Sequence, residues 1–368
     1  MQVLLVTGHY LSSKRQAGFH FLADAYRRHG ATAIFLTTGI SWLSILRRDY
    51  RLTYPVRQEA NQLHWVQERL GSYVWFTNWH PANLRLRLLN RWCTGLFSRY
   101  GELPLGSAEE LVRSSQLIIF ESTPSLLLFD RFKRLNPNAR YVYRVSDDLR
   151  FLRNHAVVLE AEEKACKNFD VVSTPCEYIY RRFQHLPQAA LHYHGIRKEL
   201  FDRDSPNPYL NGRKVNLVFV GGSYFDHDFL DQASDCFPDW AFHIIGPVTG
   251  LPRRDNVIAY GEIPFAETIR YIKHADVGLA IRSYSPGAES LTDSLKTIQY
   301  TYCKLPVVLP EFLRTAQPNR FHYKPGHADS IRKAIADAVA YDRRRIDTSG
   351  IDSWDELAAR LAGPLSIS

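Results

Sequence analysis

The 368-residue sequence lacks several features that would assign it at once to a class of protein. It has five cysteines, an odd number without a CxxC pair, which argues against structural zinc and favours a reducing compartment. No uncharged stretch approaches about eighteen apolar residues, so we expect no membrane-spanning helix. A GxGxxG fingerprint and a P-loop are both absent, which weakens a Rossmann dinucleotide interpretation.

What is present indicates two domains and an acidic partner. A chain of 368 residues is longer than one hydrophobic core usually grows, and 45% hydrophobic with 13% aromatic residues can fill two cores. Lysine and arginine number 46 against 38 acidic residues, which gives a formal charge of +8. This excess favours nucleic acid, anionic lipid or a phosphate-bearing substrate without choosing among them.

The first half of the chain alternates apolar runs with stretches of helical spacing, which indicates βαβ units. The opening run, 3–7, has no preceding positive charge and no cleavage-like site, so we expect a strand rather than a signal peptide. It is followed by His9, and two later runs end in Glu121 and in Asp147-Asp148. Ligands bind at the carboxyl ends of such strands, so a carboxylate there is a candidate general base. The alternative is that Asp147 or Asp148 only caps the next helix.

The segments 40–54 and 79–100 mix large apolar residues with arginine. In the second segment no acidic residue occurs, and apolar side chains recur at every fourth position: Leu84, Leu88, Trp92, Leu96 and Tyr100. We expect a helix that docks on anionic lipid, with membrane contacts at Arg85, Arg87, Arg91 and Trp92. The alternative is a buried helix whose arginines reach out to solvent.

The stretch 201–214 is dense in prolines and turn residues and indicates a linker. It contains Asp202 and Asp204, a DxD pattern that some sugar transferases use to hold a divalent metal, but a turn is the simpler interpretation in a linker. His192 and His194 form an HxH pattern without further ligands nearby. We therefore expect no metal site.

After the linker, the apolar run 215–220 ends in Gly221-Gly222-Ser223 and repeats the opening of the chain. Glycines at that turn would let a nucleotide approach the backbone closely.

The stretch 255–311 again alternates strands with helices, and its second helix is predicted to start in Thr292-Asp293-Ser294. The first turn of this helix would offer free N–H groups and a positive dipole end to an anion. Lys296 lies in that turn, and Gln299 lies on the same face. The pattern favours a pyrophosphate site, with an ordinary amphipathic helix as the alternative.

Two similar α/β halves joined by a proline-rich linker predict the GT-B fold, in which two Rossmann-like domains with parallel sheets face a central cleft. We expect an acceptor-binding domain over 1–200, a linker over 201–214 and a nucleotide-sugar-binding domain over 215–348. Residues 349–368 are predicted to form a helix that packs back toward the N-terminal domain.

Several stretches of the chain resemble, in the same order, the GumK-type glucuronosyltransferases of xanthan assembly, glycosyltransferase family 70. They are 135–147, Tyr260-Gly261-Glu262, 268–275 and 293–300. The resemblance runs from the region of His9 to about residue 326. It implies an inverting, metal-independent transferase of bacterial exopolysaccharide synthesis. Such an enzyme passes glucuronate from UDP-glucuronate to a polyprenyl-diphosphate-linked oligosaccharide. It is peripheral and acts at the cytoplasmic face of the inner membrane.

The resemblance also implies roles for particular residues. The base of the family falls on Asp147, and the contacts to UDP fall on Glu262, Lys296 and Gln299. Family methionines around the nucleotide are replaced by Ile263, Leu295 and Ser223, and a family tyrosine near the diphosphate falls on Arg282. Asp148 replaces a glycine after the base, and we expect this added carboxylate to raise the proton affinity of the pair. His9, Glu121 and His194 are expected to contact the acceptor or line the cleft.

Other functions remain open at this point. A transferase of the same fold could use another UDP-sugar, such as UDP-glucose or UDP-galacturonate, and a UDP-sugar epimerase could share the architecture. A basic protein could bind nucleic acid, but no RNA-module motif is present, and we expect no nucleic-acid partner.

Overall fold

The computed structural model describes residues 1–14, 16–209, 212–222 and 224–365. The chain divides into two compact units. The first contains residues 1–175 and 179–192 together with the C-terminal segment from Trp354, and the second contains Cys176–Tyr178 and Tyr193–Ser353. The division at the end of the first half therefore falls after His192, ahead of the boundary at residue 200 that the sequence predicts.

The first unit is built on an eight-stranded sheet. Its strands are β1 (Gln2–Thr7), β2 (Thr32–Ser41), β3 (Leu63–Gln67), β4 (Leu70–Thr77), β5 (Leu117–Glu121), β6 (Arg140–Arg144), β7 (Val171–Thr174) and β8 (Ala189–Leu191). Their order is β3-β4-β2-β1-β5-β6-β7-β8, parallel apart from the antiparallel edge pair β3–β4. Because β1 lies between β2 and β5, the chain changes its direction across the sheet there. Ligands bind at such switch points.

Helices α1 (Gly18–Arg28), α2 (Trp42–Leu46), α3 (Arg87–Ser98), α4 (Ala108–Ser114), α5 (Phe129–Leu135), α6 (Ala156–Ala165) and α7 (Glu177–Phe183) connect these strands. A C-terminal helix, Trp354–Ala362, returns to this unit and packs on α1. The hydroxyl of Tyr26 donates to the carbonyl of Ala358 at 3.0 Å, and the rings of Phe21 and Trp354 stack. The C-terminal helix and the sheet therefore both pack against α1.

The second unit contains a six-stranded parallel sheet. Its elements are α8 (Lys198–Asp202), β9 (Asn216–Val220), α9 (His227–Cys236), β10 (Ala241–Ile245), β11 (Val257–Gly261), α10 (Phe265–His274), β12 (Val277–Leu279), α11 (Leu295–Tyr302), β13 (Val307–Pro310), β14 (Arg320–Tyr323) and α12 (Ala328–Ala340). The strand order is β11-β10-β9-β12-β13-β14, so the switch point lies between β9 and β12.

Successive side chains of a strand point to opposite faces, and in the second sheet both faces are buried. In β9, Leu217 and Phe219 belong to one hydrophobic cluster, whereas Val218 belongs to the other. The continuous apolar run of this strand is thus explained by burial on both sides.

The sequence analysis predicted neither β3 nor β4, which lie between the segments 40–54 and 79–100 that were interpreted as basic and lipid-facing. Side chains at the C-terminal end of β3, such as Trp65, are exposed, so this edge strand carries little apolar signal. Helix α11 has Ser294 as its N-cap, within the predicted run Thr292-Asp293-Ser294, and a short 3-10 turn, Ala288–Leu291, precedes it. In the described part of the chain, no helix is long and apolar enough to cross a membrane.

Candidate active site

A cavity of about 380 Å³ opens at the switch point of the first sheet. Its wall comes from loops that follow β1 and β5, from the turn after α2 and from the loop after β6. The lining residues are Gly8, His9, Asp49, Tyr50, Arg51, Glu121, Ser122, Thr123, Asp147 and Leu152. Three of the residues predicted from the sequence, His9, Glu121 and Asp147, therefore meet in one place.

Asp147 is held in this cavity by its backbone. The hydroxyl oxygen of Ser122 accepts the N–H groups of Ser146 at 3.0 Å and of Asp147 at 2.9 Å. Within the described ranges the carboxylate of Asp147 has no hydrogen-bond or ion-pair partner, and it is exposed to the cavity. A positioned carboxylate with free oxygens can accept a proton from a bound hydroxyl.

The surroundings of Asp147 make it a stronger base. The walls of the cavity reduce the hydration of the carboxylate and raise its pKa, as does the negative charge of Glu121. The positive charge of His9 acts in the opposite direction. The result is a carboxylate whose pKa lies above its ordinary value.

Glu121 is buried at the end of β5 and anchors the loop after β1. Its carboxylate accepts hydrogen bonds from the hydroxyl of Thr7 and, at 3.3 Å, from the N–H of Gly8. The ring Nε2 of His9 lies 3.3 Å from Glu121 Oε1. Burial alone lowers the pKa of His9, but the hydrogen bond and the charge of Glu121 outweigh it and leave that pKa raised.

Arg51 also lines the cavity, and its guanidinium binds backbone carbonyls of neighbouring segments. Its guanidinium donates to the carbonyls of Gly8 at 2.7 Å and Gly39 at 2.8 Å, and it pairs with Asp49 at 2.6 Å. The sequence offered no signal for this role, because Arg51 lay in a segment interpreted as lipid-facing. Ser122 was also missed, since a serine after a strand has many ordinary uses.

The structure corrects the expectation for Asp148. Its carboxylate is tied to Arg150 at 2.5 Å and to Arg182 at 3.3 Å. Burial by itself would raise the pKa of Asp148, but the bonds from Arg150 and the charge of Arg182 leave it lowered. The expectation that Asp148 raises the proton affinity of the pair is therefore wrong. The neighbouring carboxylate that raises the pKa of Asp147 is Glu121.

A second candidate site lies at the switch point of the second sheet, where β9 and β10 end in glycines. The N–H of Gly221 donates to the carbonyl of Ile245, and the N–H of Gly246 donates to that of Gly261. Any Cβ at Gly246 would lie 1.9 Å from the carbonyl oxygen of Gly221. The strand ends approach each other so closely that only glycine fits there.

Two cations face this glycine turn. The Nζ of Lys296 lies 4.3 Å from the centre of the Phe219 ring, and the guanidinium of Arg282 lies 5.2 Å from that of Tyr224. Burial, with a smaller effect from Arg282, lowers the pKa of Lys296 to about 8. Within the described residues neither cation pairs with a carboxylate, and Arg282 Nε is buried without a hydrogen bond. We call Lys296 and Arg282 the two-cation site.

Other predicted nucleotide contacts lie around this site with varied exposure. Glu262 is exposed directly after β11, and Gln299 is buried one turn along α11 from Lys296. Ile263 and Leu295 are partly buried and pack against the same hydrophobic cluster, which keeps an apolar rim. Ser223 lies outside the described residues.

The start of α11 differs in detail from the prediction. Ser294 occupies the N-cap position, but its side chain makes no capping hydrogen bond. Asp293, predicted among the caps, is buried instead, and burial raises its pKa to about 6. The first-turn N–H groups are therefore not capped by Ser294, as an anion-binding helix start requires.

The remaining predicted polar residues lie elsewhere. His194 is half-buried after β8 and belongs to the second unit. Asp202 is the last residue of α8 rather than part of a turn, and it accepts a hydrogen bond from the Tyr302 hydroxyl at 2.8 Å. In the ranges that the structure describes, no group of three or more potential metal ligands occurs.

Helix α3 is shorter than predicted and is not buried. Its apolar face is open, with Leu88 at 68% and Trp92 at 77% exposure, and Phe97 is the residue that reaches the core. Leu84 and Arg85 precede the helix, and Arg85 has a left-handed backbone with φ of 66°. The predicted contacts Arg85, Arg87, Arg91 and Trp92 are all exposed. We call these four residues with Leu88 the basic apolar surface.

Comparison with known proteins places these sites in a family. Residues 5–175 match the family model described as glucuronosyltransferase GumK, N-terminal domain. A curated relative from Xanthomonas campestris pv. campestris, UDP-glucuronate:glycolipid 2-beta-glucuronosyltransferase, is 32% identical, and the match covers 98% of this chain and 89% of the relative. The chain belongs to the GumK glucuronosyltransferase family. The resemblance predicted from the sequence is thus confirmed.

Solved structures confirm the GT-B fold of this GumK family member. A UDP-forming trehalose-phosphate synthase from Burkholderia xenovorans has a TM-score of 0.60 at 11% identity, covering 99% of this chain and 100% of that one. HepE from Anabaena, solved in complex with UDP, has a TM-score of 0.58 at 13% identity, with coverage of 100% and 96%. At such identities the likeness concerns the fold alone.

Proposed function

We propose that this chain is a glucuronosyltransferase that moves glucuronate from UDP-glucuronate to a hydroxyl of a polyprenyl-diphosphate-linked oligosaccharide. The observation that carries the proposal is the 32% identity, over nearly the whole chain, to a UDP-glucuronate:glycolipid glucuronosyltransferase. We assign the acceptor to the first unit and the donor to the second.

In the proposed reaction Asp147 is the catalytic base. As the acceptor oxygen attacks the anomeric carbon from the side opposite UDP, its proton passes to Asp147 while the bond from that carbon to the diphosphate breaks. Inversion at the anomeric carbon follows from this attack. The unpartnered carboxylate oxygens and the raised pKa of Asp147 support the assignment, since both favour proton acceptance.

The leaving diphosphate needs positive charge, and we assign this role to the two-cation site together with the start of α11. Lys296 and Arg282 have no carboxylate partner in the described part of the chain, so their charges are available to an anion. The proposed chemistry therefore uses side chains where other transferases use a metal ion. Glu262 and Gln299 are assigned to the nucleoside or the sugar hydroxyls.

Glucuronate adds a carboxylate to the donor. Lys273, in the last turn of α10, donates to the carbonyl of Arg203. Arg282 carries an unpartnered Nε and is the better candidate. We therefore assign the sugar carboxylate or the adjacent phosphate to Arg282.

The experiment that tests this function offers purified protein a panel of labelled UDP-sugars with a membrane-lipid fraction as acceptor. We expect label to enter the lipid from UDP-glucuronate, and Asp147→Asn to abolish transfer while UDP binding persists. Asp130→Asn, an exposed carboxylate of the same unit, serves as the matched control. Transfer from UDP-glucose or UDP-galacturonate alone would replace the donor assignment, and conversion of a free UDP-sugar without acceptor would indicate an epimerase.

The proposed location is the cytoplasmic face of the inner membrane, with the protein attached peripherally through the basic apolar surface. Exposed arginines beside exposed Leu88 and Trp92 support contact with anionic lipid headgroups. The glycolipid in the name of the curated relative is consistent with such an acceptor.

A further inference from the structure

Beside Asp147, the cavity of the first unit holds a second charged group, the pair of His9 and Glu121. We propose that His9 is a positioning residue: its positive charge, fixed by Glu121, keeps the Asp147 carboxylate ionised and available as the base. The proposal rests on the proposed function, because it concerns the base of that reaction.

The geometry fixes the Glu121 side of the pair. The side chain of Glu121 is 5% exposed, and its oxygens are shared among Thr7, the N–H of Gly8 and the ring of His9 at 3.3 Å. Thr7 ends β1, Gly8 follows it, and Glu121 ends β5, so the carboxylate joins two neighbouring strands of the switch point. Its replacement by an apolar residue would leave these donors unpaired.

A buried carboxylate in this position creates a problem for the base. Two negative charges in one cavity oppose each other, so Glu121 alone would favour the protonated, inactive form of Asp147. An imidazolium at His9 offsets that charge, and its side chain is 35% exposed, toward the same cavity. His9 thus lets the fold keep Glu121 as a structural anchor while Asp147 stays available.

The other charges near His9 come from every element packed around it. They are Arg51 and Asp49 from the turn after α2, His20 from α1, Glu121 from β5, and Asp147 from the loop after β6. Arg51 and Asp49 neutralise each other, and Asp148 is paired with Arg150 and Arg182. His20 accepts from the N–H of Ala17 through Nδ1, so its Nε2 donates to the carbonyl of Tyr10 and the ring is neutral.

The effect of His9 on Asp147 can be measured by substitution and rescue. The variants are His9→Gln, Glu121→Gln and the double variant, with His20→Gln as a control that removes a neighbouring neutral ring. The pKa of Asp147 is read from the carboxyl carbon in an NMR titration, with the signal identified by its loss in Asp147→Asn. The acid limb of the pH profile for transfer is measured in parallel, because transfer requires the ionised form of Asp147.

We expect His9→Gln to raise the pKa of Asp147 by about one unit or more, because the offsetting charge is lost while Glu121 remains. Activity on the acid limb then falls about tenfold at a given pH. Removing Glu121 as well should return the pKa to the wild-type value or below it. His20→Gln should leave the pKa of Asp147 unchanged. A merely structural histidine would not be rescued by deleting the carboxylate beside it.

Titration of the His9 ring gives a second readout that needs no activity. We expect its pKa above the ordinary histidine value in the wild type and lower than that in Glu121→Gln, since only the charge of Asp147 then opposes burial and Arg51. An unchanged pKa of Asp147 in His9→Gln, or a double variant that stays at the raised value, would overturn the inference. Failure of the wild type to transfer any sugar would overturn the proposed function instead, and the two titrations would still decide this one.

Discussion

The ammonium group of Lys296 lies 4.3 Å from the centre of the Phe219 ring, and a Cβ on Gly221 would come within 2.8 Å of it. The lysine therefore occupies the space that the glycine leaves, at the carboxyl end of β9. Its charge is stabilised by the ring but is not neutralised by any carboxylate that the described residues supply. We therefore expect the proposed binding of UDP to depend on the pH, on Lys296 and on Gly221.

UDP binding should weaken as the pH rises through about 8. The pKa of Lys296 is lowered to about 8 by burial, so the cation is present below that pH and is lost above it. We expect the Kd of UDP to rise about tenfold for each pH unit above this value. Lys296→Arg stays charged over this range, so its affinity should not change with pH. The measurement is calorimetric titration of UDP between about pH 7 and pH 9. A wild-type Kd that stays constant over this range would contradict the assignment of Lys296 to the diphosphate.

Gly221→Ala should reduce UDP affinity about tenfold or more, because the added methyl displaces the Lys296 ammonium. The backbone there has φ of 144°, so some loss of stability is also expected. Gly326→Ala is the matched control: its φ is also positive, at 77°, but nothing lies within 4 Å of the new Cβ. Equal losses of UDP affinity in the two variants would show that backbone strain, and not crowding of Lys296, is responsible.

The features that could be predicted from the sequence were those that leave a local pattern of apolar and polar residues. Buried strands such as β1 and β9 were predicted closely as the apolar runs 3–7 and 215–220, because hydrophobic patterning reports burial directly. His9, Glu121 and Asp147 could be found together because each follows or ends a buried strand, and the carboxyl ends of parallel strands meet at one edge.

The sequence could not predict the long-range ion pairs and hydrogen bonds that determine how acidic each side chain is. The pairing of Asp148 with Arg182 joins residues far apart in the chain, and no local pattern distinguishes Asp148 from Asp147. Arg51 contacts backbone carbonyls, and such contacts cannot be predicted from the types of side chain in the sequence. Exposure of α3 was left open for the same reason, since an apolar helical face looks alike whether it packs on a core or on lipid.

Asp148→Asn should destabilise the protein by about 2 kcal/mol at neutral pH, because charge-assisted bonds to Arg150 and Arg182 are weakened. The pKa of Asp148 is lowered in the folded state. Its contribution is therefore present above the unfolded value of about 4 and is lost as the pH falls through the folded value. Urea denaturation should thus show a difference from the wild type that shrinks in acid.

The exposed pair of Asp130 and Lys164 provides the comparison for Asp148. Asp130→Asn should change stability by about 1 kcal/mol or less, since both side chains are largely solvated. Asp148→Asn should also leave the acid limb of the transfer profile in place, because Asp148 does not set the pKa of Asp147. If the acid limb of the pH profile shifts in Asp148→Asn, Asp147 and Asp148 titrate as a pair, as the sequence analysis expected.

Binding to anionic vesicles should depend on the basic apolar surface. Each surface cation near such a membrane contributes about 1 kcal/mol, so Arg87→Gln with Arg91→Gln should weaken partition about thirtyfold at low salt. Trp92→Ala should weaken binding to anionic and neutral vesicles alike, because it removes apolar contact rather than charge. Trp65, an exposed tryptophan on the edge strand β3 at 57% exposure, gives the control Trp65→Ala. If Trp92→Ala and Trp65→Ala reduce co-sedimentation with vesicles equally, α3 is not the part of the protein that contacts the membrane.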